Sequence, residues 1–288
     1  MTWAPLIGSL LARPERAVIG ADERALLDAV IADPDADGPR LVYADWLQQH
    51  GDVGRGELIA VQCALARLDN IEEHNRLKAR DFELVKQHGN RWCAEIGIGE
   101  VRNNWYPSVW AADFHRGFVE VLEMPSVAFA VVPQLFSLEP VRALTLIGHS
   151  DALSRLPSSI YLRRLRSFGI RTLNVSDEFL AELIRSPMLT GLERFEIEDQ
   201  DLGRRSLEAL GETALRELSL RTPSLDLAVH VLLRSPLASK LEVLALDGDL
   251  GDDAVRVLTH AELPRLRQIS IEGDAAHPEL QARFGDYF

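Results

Sequence analysis

From residue 141 onward one short pattern recurs, apolar-x-x-apolar-x-apolar. VRALTLIG begins at Val141, LRSFGIRT at Leu165, LERFEIED at Leu192, LRELSLRT at Leu215, LEVLALDG at Leu241 and LRQISIEG at Leu266. The intervals are 24, 27, 23, 26 and 25 residues. In a strand successive side chains alternate faces, so Leu218 and Leu220 point the same way, and Leu215 turns in behind them. A polar turn and a helical spacing follow: Leu250, Val255 and Leu258 after Asp247-Gly248-Asp249, and Leu202, Leu207 and Leu210 after Glu198-Asp199-Gln200. One such unit cannot bury its own apolar face, whereas stacked neighbours share a continuous core. The expected fold class is α/β, with strands in a parallel sheet on one side and helices on the other.

The earlier part follows a helical period. DERALLDAVIADP spaces Ala25, Leu26, Ala29 and Val30 for one face, with Asp22 as the expected N-cap and Pro34 as the stop. RLVYADWLQQHG predicts a second helix ending at Gly51. RGELIAVQCALARL predicts a third, with Leu58, Val61, Ala64, Leu65 and Leu68 on one stripe. Residues 72–95 predict a fourth, interrupted near Gly89. Between Gly99 and Met124 the pattern turns strand-like, and RGFVEVLEM alternates apolar with polar. The expected organisation is an extension over 1–20, a helical domain over 21–98, a strand-like transition over 99–138, and about six stacked units over 139–288.

Composition narrows the function classes. The 288 residues are 47% hydrophobic and 26% charged, a globular balance. The formal net charge of −13 repels phosphate backbones and anionic membranes, and no basic stripe offsets it. Residues 1–138 carry 13 basic and 20 acidic side chains and residues 139–288 carry 18 and 24, so neither part is a charged tail. All five tryptophans (Trp3, Trp46, Trp92, Trp105, Trp110) and both cysteines (Cys63, Cys93) fall in the first 110 residues. Two cysteines are no disulfide scaffold and read as reduced thiols. No apolar run is long enough to span a bilayer, and no basic residue precedes Arg13, so neither a span nor an export signal is expected. The expectation is a cytoplasmic protein with no nucleic-acid or membrane partner.

The repeats resemble leucine-rich repeats of the ribonuclease-inhibitor-like kind, LEVLALDGDLGDDAVRVLTHAEL (241–263) most of all. The family has Asn or Cys at the turn, bonding the neighbouring coil. Here those places hold His149, Leu173, Gln200, Pro223, Asp249 and Asp274, which implies irregular turns and departures in the second and fourth units. Over about residues 22–68 the chain resembles the bacterial repeat-companion domain, a family with a DPDDDAPRLVYADWL-like stretch followed by a GDPRGEFI-like turn. The matching residues are Asp33, Pro34, Asp35, Asp37, Pro39, Arg40, Leu41, Tyr43, Ala44, Asp45, Trp46, Leu47, Gly51, Asp52, Arg55, Gly56, Glu57 and Ile59. HGNRWCAEIG and HRGFVE are similar to that family's downstream segment. The resemblance implies a layout, companion domain before repeats, and an interaction role without catalysis.

Catalytic or metal-binding patterns are weak. Asp33-x-Asp35-x-Asp37-Gly38 imitates the start of a calcium loop, but the twelfth position, which needs a bidentate Glu, is Ala44. A polar interhelical turn with Asp37 capping the next helix is the plainer expectation. The eight histidines show no i, i+4 metal pair, and no phosphate loop or nucleophile elbow is present. No catalytic residue, metal or cofactor is expected. Arg40, Tyr43, Asp45, Trp46, Arg55 and Glu57 form a dense set. They read as an ion-pair network clamping three helices, with Tyr43 and Trp46 as an exposed partner anchor in the functional version. The alternative is an enzyme or ligand site centred on Arg40, Tyr43, Asp45 and Glu57.

The repeat strands predict an outward surface. Its middle row is Thr145, Gly169, Glu196, Ser219, Ala245 and Ser270, and the next is Ile147, Arg171, Glu198, Arg221, Asp247 and Glu272. Small residues beside alternating charge leave room for another protein and set its register. Arg171, Glu196, Glu198, Arg221, Asp247 and Glu272, with Tyr43 and Trp46, are therefore the candidate partner-binding residues. The helical domain is expected to cap the first repeat. A further alternative is a target or regulator in a proteolytic or defence pathway, recognised through its acidic surface or residues 1–20. There Trp3, Leu6, Ile7, Leu10 and Leu11 are spaced for an amphipathic helix.

Overall fold

The computed structural model describes residues 19–68, 70–98, 111–148, 151–171, 174–198, 200–273 and 278–285. The chain divides into two compact units, Met1–Arg142 and Ala143–Phe288. Trp3, Leu6, Ile7, Leu10, Leu11, Trp105, Trp110, His149, Leu173, Asp274 and His277 lie outside the described residues.

The first unit is helical with a β-hairpin. Its elements are α1 (Ala21–Ala32), α2 (Asp37–Gln49), α3 (Val53–Leu65), α4 (Ile71–Glu95), β1 (Ala111–His115), β2 (Phe118–Pro125) and the short α5 (Val132–Phe136). Asp52 caps α3 by accepting from Arg55 N at 3.1 Å, and Asn70 caps α4 by accepting from Glu72 N and Glu73 N at 3.0 and 3.1 Å. Two expected caps are corrected. Asp22 and Asp37 sit in the first turns of α1 and α2, and Gly20 and Ala36 hold the cap positions without side-chain bonds. The expected break at Gly89 is also corrected. α4 runs unbroken, and a Cβ at 89 would stand 3.3 Å from Val85, so the glycine serves close packing.

Leu27, Val30, Tyr43, Ala44, Leu47, Ile59, Cys63 and Phe118 make one core cluster, and Leu58, Val61, Leu77, Leu84 and Trp92 a second. Full burial of each Leu or Ile stabilises by roughly 1.5–3 kcal/mol relative to exposure. Gly56 lets α2 and α3 meet, because a Cβ there would lie 2.6 Å from the Ala44 carbonyl. Gly117, at φ +83, closes the hairpin against α3, where a Cβ would lie 2.1 Å from Ile59.

The second unit carries six strands: β3 (Ala143–Ile147), β4 (Ser167–Arg171), β5 (Arg194–Glu198), β6 (Glu217–Arg221), β7 (Val243–Asp247) and β8 (Gln268–Glu272). They pair in parallel in chain order, and each begins two residues into one of the six repeats. Leu144, Phe168, Phe195, Leu218, Leu244 and Ile269 stand in one register line, and all are buried. The expected departures in units two and four do not occur in the strands, whose register never shifts. The first return departs instead. It is made of two 3-10 turns, Asp151–Ser158 and Ile160–Arg164, with Pro157 inside, where an α-helix would lose a hydrogen bond. The later returns are helical: α6 (Asp177–Ile184), α7 (Arg204–Gly211), α8 (Leu225–Leu232), α9 (Asp252–His260) and α10 (Pro278–Phe284).

Neighbouring coils complete one another's hydrogen bonds. Buried Gln200, at one of the turn positions, accepts from Val175 N at 3.2 Å and donates to Val175 O at 3.1 Å, so it bonds the backbone of the preceding unit. In the following coil Thr222 Oγ1 donates to Gln200 O at 2.9 Å. Asp177 accepts from Arg205 N and Ser206 N at 3.0 and 2.9 Å, and so caps the helix of the next coil. Asp226 accepts from Gly251 N, at the N-cap of the helix after the next strand, at 2.9 Å. The receiving N-cap residues are glycines, Gly203 and Gly251, where a Cβ would collide with those aspartates.

Candidate interaction surface

Strand alternation sends position four and six of each repeat inward and leaves positions three, five and seven on the outer face. The fixed register then lines up Thr145, Gly169, Glu196, Ser219, Ala245 and Ser270 as a middle row. Gly169 is buried under the Thr145 side chain, which a Cβ would meet at 2.5 Å. Beside this row the charges interlock. Arg171 pairs with Glu198 and reaches Glu196 at 3.9 Å. Arg221 bridges Glu198 at 2.6 Å and Asp247 at 2.9 Å. Glu272, on the last strand, is exposed and has no cation partner among the described residues.

A second ladder, not singled out from sequence, runs along the strand entrances. Arg166 pairs with Glu193 at 3.2 Å, Arg216 with Glu242 at 3.8 Å, and Arg267 with Glu242 at 3.5 Å. Its signal is the second residue of the repeat, which reads Arg, Glu, Arg, Glu, Arg from Leu165 onward. One row further in, Arg194 pairs with Glu217 at 2.9 Å. Exposed pairs of this kind contribute about 0–1 kcal/mol each, so the ladders set electrostatic pattern more than stability.

The dense set in the first unit resolves differently from expectation. Arg40 is fully buried. It donates to Glu120 Oε1 at 2.5 Å, to Pro34 O at 2.6 Å, and to His115 O and Arg116 O at 3.2 Å, with its guanidinium 5.2 Å from the Phe118 ring. Arg55 is buried among Phe114, Phe118 and Trp92, and its charge meets Glu139 at 3.2 Å. These arginines therefore tie helices to the hairpin and to the segment after it, where the sequence reading placed a clamp among three helices. The carboxylates they use, Glu120 and Glu139, were not anticipated.

Tyr43 is corrected as an exposed anchor. It is buried, its hydroxyl donates to Glu23 at 3.0 Å, and burial, then Glu23, push its pKa up. Trp46 is half-buried, stacked on His50 at 4.0 Å and on Tyr43 at 6.0 Å. Asp45 is exposed. Glu57 forms a two-pronged pair with Arg80 at 2.6 and 2.7 Å, which holds its carboxyl below the usual range. Arg40, Tyr43, Asp45 and Glu57 thus do not converge on one cavity.

Asp35 and Asp37 are drawn to arginines: Asp35 to Arg142 and Arg116, Asp37 to Arg67 and Arg116. Burial works to raise the Asp37 pKa, but those arginines outweigh it and keep the carboxyl below its ordinary range. Among the described residues no group of three His, Cys, Asp or Glu side chains is placed to hold a metal ion. Burial pushes both thiols up to about 11, Cys63 with help from Asp37, so both are protonated at neutral pH. A cleft of about 490 Å³ lies where the longest coil meets the shortest, over Ile184, Leu192, Phe195 and Leu215, and none of the candidate residues lines it.

Among the described residues no helix is long and apolar enough to cross a membrane. Comparison with family models, curated proteins and solved structures finds no match for the chain.

Proposed function

We propose that this chain is a cytoplasmic, non-enzymatic protein-interaction module, a repeat-companion-like helical domain followed by a short leucine-rich-repeat solenoid that docks another protein on its sheet. The observation that supports this reading is the unshifted register of six parallel strands. It lays a row of mostly small outward residues between two charge ladders. A partner backbone can approach the small row closely, while the flanking charges select its position and reject mismatched charge. The alternative of an enzyme centred on Arg40, Tyr43, Asp45 and Glu57 loses support, because two of those side chains are buried in separate bonds and the other two face solvent or Arg80.

Reversing Arg171 and Arg221 is a poor test, since each would set a glutamate against Glu198 and disturb the coils themselves. Ser219→Arg and Ala245→Arg are cleaner. Both point outward and fill the small row without touching the core. Affinity purification from the native host should recover a partner with the unaltered chain and lose it with either variant, at unchanged melting temperature. A partner retained by both variants would refute docking on this face.

A further inference from the structure

Every charged or aromatic group of α2 has a structural task except on one side of the helix. Arg40, its only cation, is turned fully inward, and Tyr43, Ala44 and Leu47 lie in the core. Val42, Asp45, Trp46 and Gln49 fall three and four residues apart and therefore share the opposite face. Val42 is 56% exposed. Trp46 is half-exposed and cannot swing freely, because its ring lies between His50 and Tyr43, and the His50 ring nitrogen is bonded to Trp46 O at 2.7 Å. A fixed, partly exposed tryptophan one turn from an exposed valine has the make-up of an interface anchor, since little conformational entropy is lost when it is covered.

The charge at this face is acidic. Asp45 is exposed and has no cation partner among the described residues. A second copy would bring a chain of formal net charge −13 to this acidic face, which disfavours self-association. We infer that the outer face of α2 is a docking surface for an amphipathic segment of another protein, one that lays an apolar side chain on Val42 and Trp46 and an arginine or lysine on Asp45. It lies in a different unit from the repeat sheet, so either surface can fail its test without the other.

The test is calorimetric titration of the full chain with two synthetic amphipathic peptides, identical except that the arginines of one are glutamates in the other. The arginine peptide should bind one to one and the glutamate peptide should not. Val42→Glu should weaken binding by about tenfold or more, the loss expected for an anchor contact. Asp45→Arg should invert the preference, so that the glutamate peptide binds and the arginine peptide does not. Both positions are exposed, so melting temperatures should stay within the small range of surface substitutions. The inference is overturned if neither peptide binds, if Val42→Glu leaves affinity unchanged, or if Asp45→Arg keeps the original preference. It is equally overturned if Val42→Glu dissociates a dimer of the chain. It also fails if Val42→Glu raises hydrogen exchange within residues 1–18 of the uncomplexed protein, since the chain's own N-terminal segment would then be the occupant.

Discussion

Asp177→Ala is the most direct probe of how the coils hold one another. Asp177 lies in the first turn of α6, yet its two oxygens accept from Arg205 N and Ser206 N at the start of α7. The helix receiving this cap has Gly203 at its own N-cap and no side chain there to replace the aspartate. Loss of an N-cap acceptor costs about 1 kcal/mol, and up to about 2 where the geometry is good. Two bonds to one carboxylate belong near the upper figure, so about 1.5–2 kcal/mol is expected. In a unit of this size each kcal/mol moves the midpoint by about 2–4 °C, so a fall of about 3–8 °C should appear in thermal unfolding followed by circular dichroism. Asp177→Asn keeps one acceptor and should lose about half as much.

The pH dependence is a second reading of the same contact. Burial works to raise the Asp177 pKa, but the hydrogen bonds from Ser206, Arg205 and Gly203 outweigh it and set the folded value below the ordinary 3.8. The stabilisation is therefore complete above that ordinary value and is lost as pH falls through the lower folded one. Wild type and Asp177→Ala should differ most at neutral pH, and the gap should narrow in acid to what a neutral acceptor retains. A cost under about 0.5 kcal/mol, or a gap that does not narrow on protonation, would refute cross-coil capping as a source of stability.

Further outcomes follow from other contacts. Glu120→Ala strands the Arg40 charge in the core and should cost about 3–5 kcal/mol in urea unfolding, because an uncompensated buried charge is left. Gln200→Leu removes the bonds to both the N–H and the carbonyl of Val175 and should cost about 2 kcal/mol or more by the same measurement, as buried backbone groups lose their partners. Cys63 and Cys93, protonated at neutral pH, should react slowly with a thiol reagent in the native chain and at the rate of free cysteine once denatured; rapid native labelling would contradict the burial of Cys63 and the raised pKa of both.

The repeat strands were legible because each couples two signals, alternation within the strand and recurrence between strands, and both come from one cause, the shared row of inward side chains. The second charge ladder is equally present in the sequence, as alternating Arg and Glu after the leading Leu, and becomes visible only when the repeats are aligned by that column. The first unit resisted for a different reason. Asp37 reads as a cap because local rules favour it, but Arg67 and Arg116 claim its carboxylate from 30 and 79 residues away. Glu120 breaks the alternation of RGFVEVLEM by pointing inward while Val121 is exposed, because Arg40 needs its charge and the hairpin shifts register between Asp113 and Phe114. Such pairings join distant parts of the chain and leave no periodic trace. Tyr43 and Trp46 differ only by which side of α2 they occupy. Composition cannot separate them, though the exposed spacing of Val42, Asp45 and Gln49 would have assigned Trp46 to the outer side.

The bonds of Arg40 have a practical consequence for dissecting the protein. A fragment cut after α4 would contain every residue of the helical sequence signature and still be chemically incomplete. Arg40 would keep the Pro34 carbonyl and forfeit the three acceptors supplied by His115, Arg116 and Glu120. Arg55 would be left without Glu139. Excision that respects the fold has to carry the hairpin and the residues through Arg142 along with the four helices.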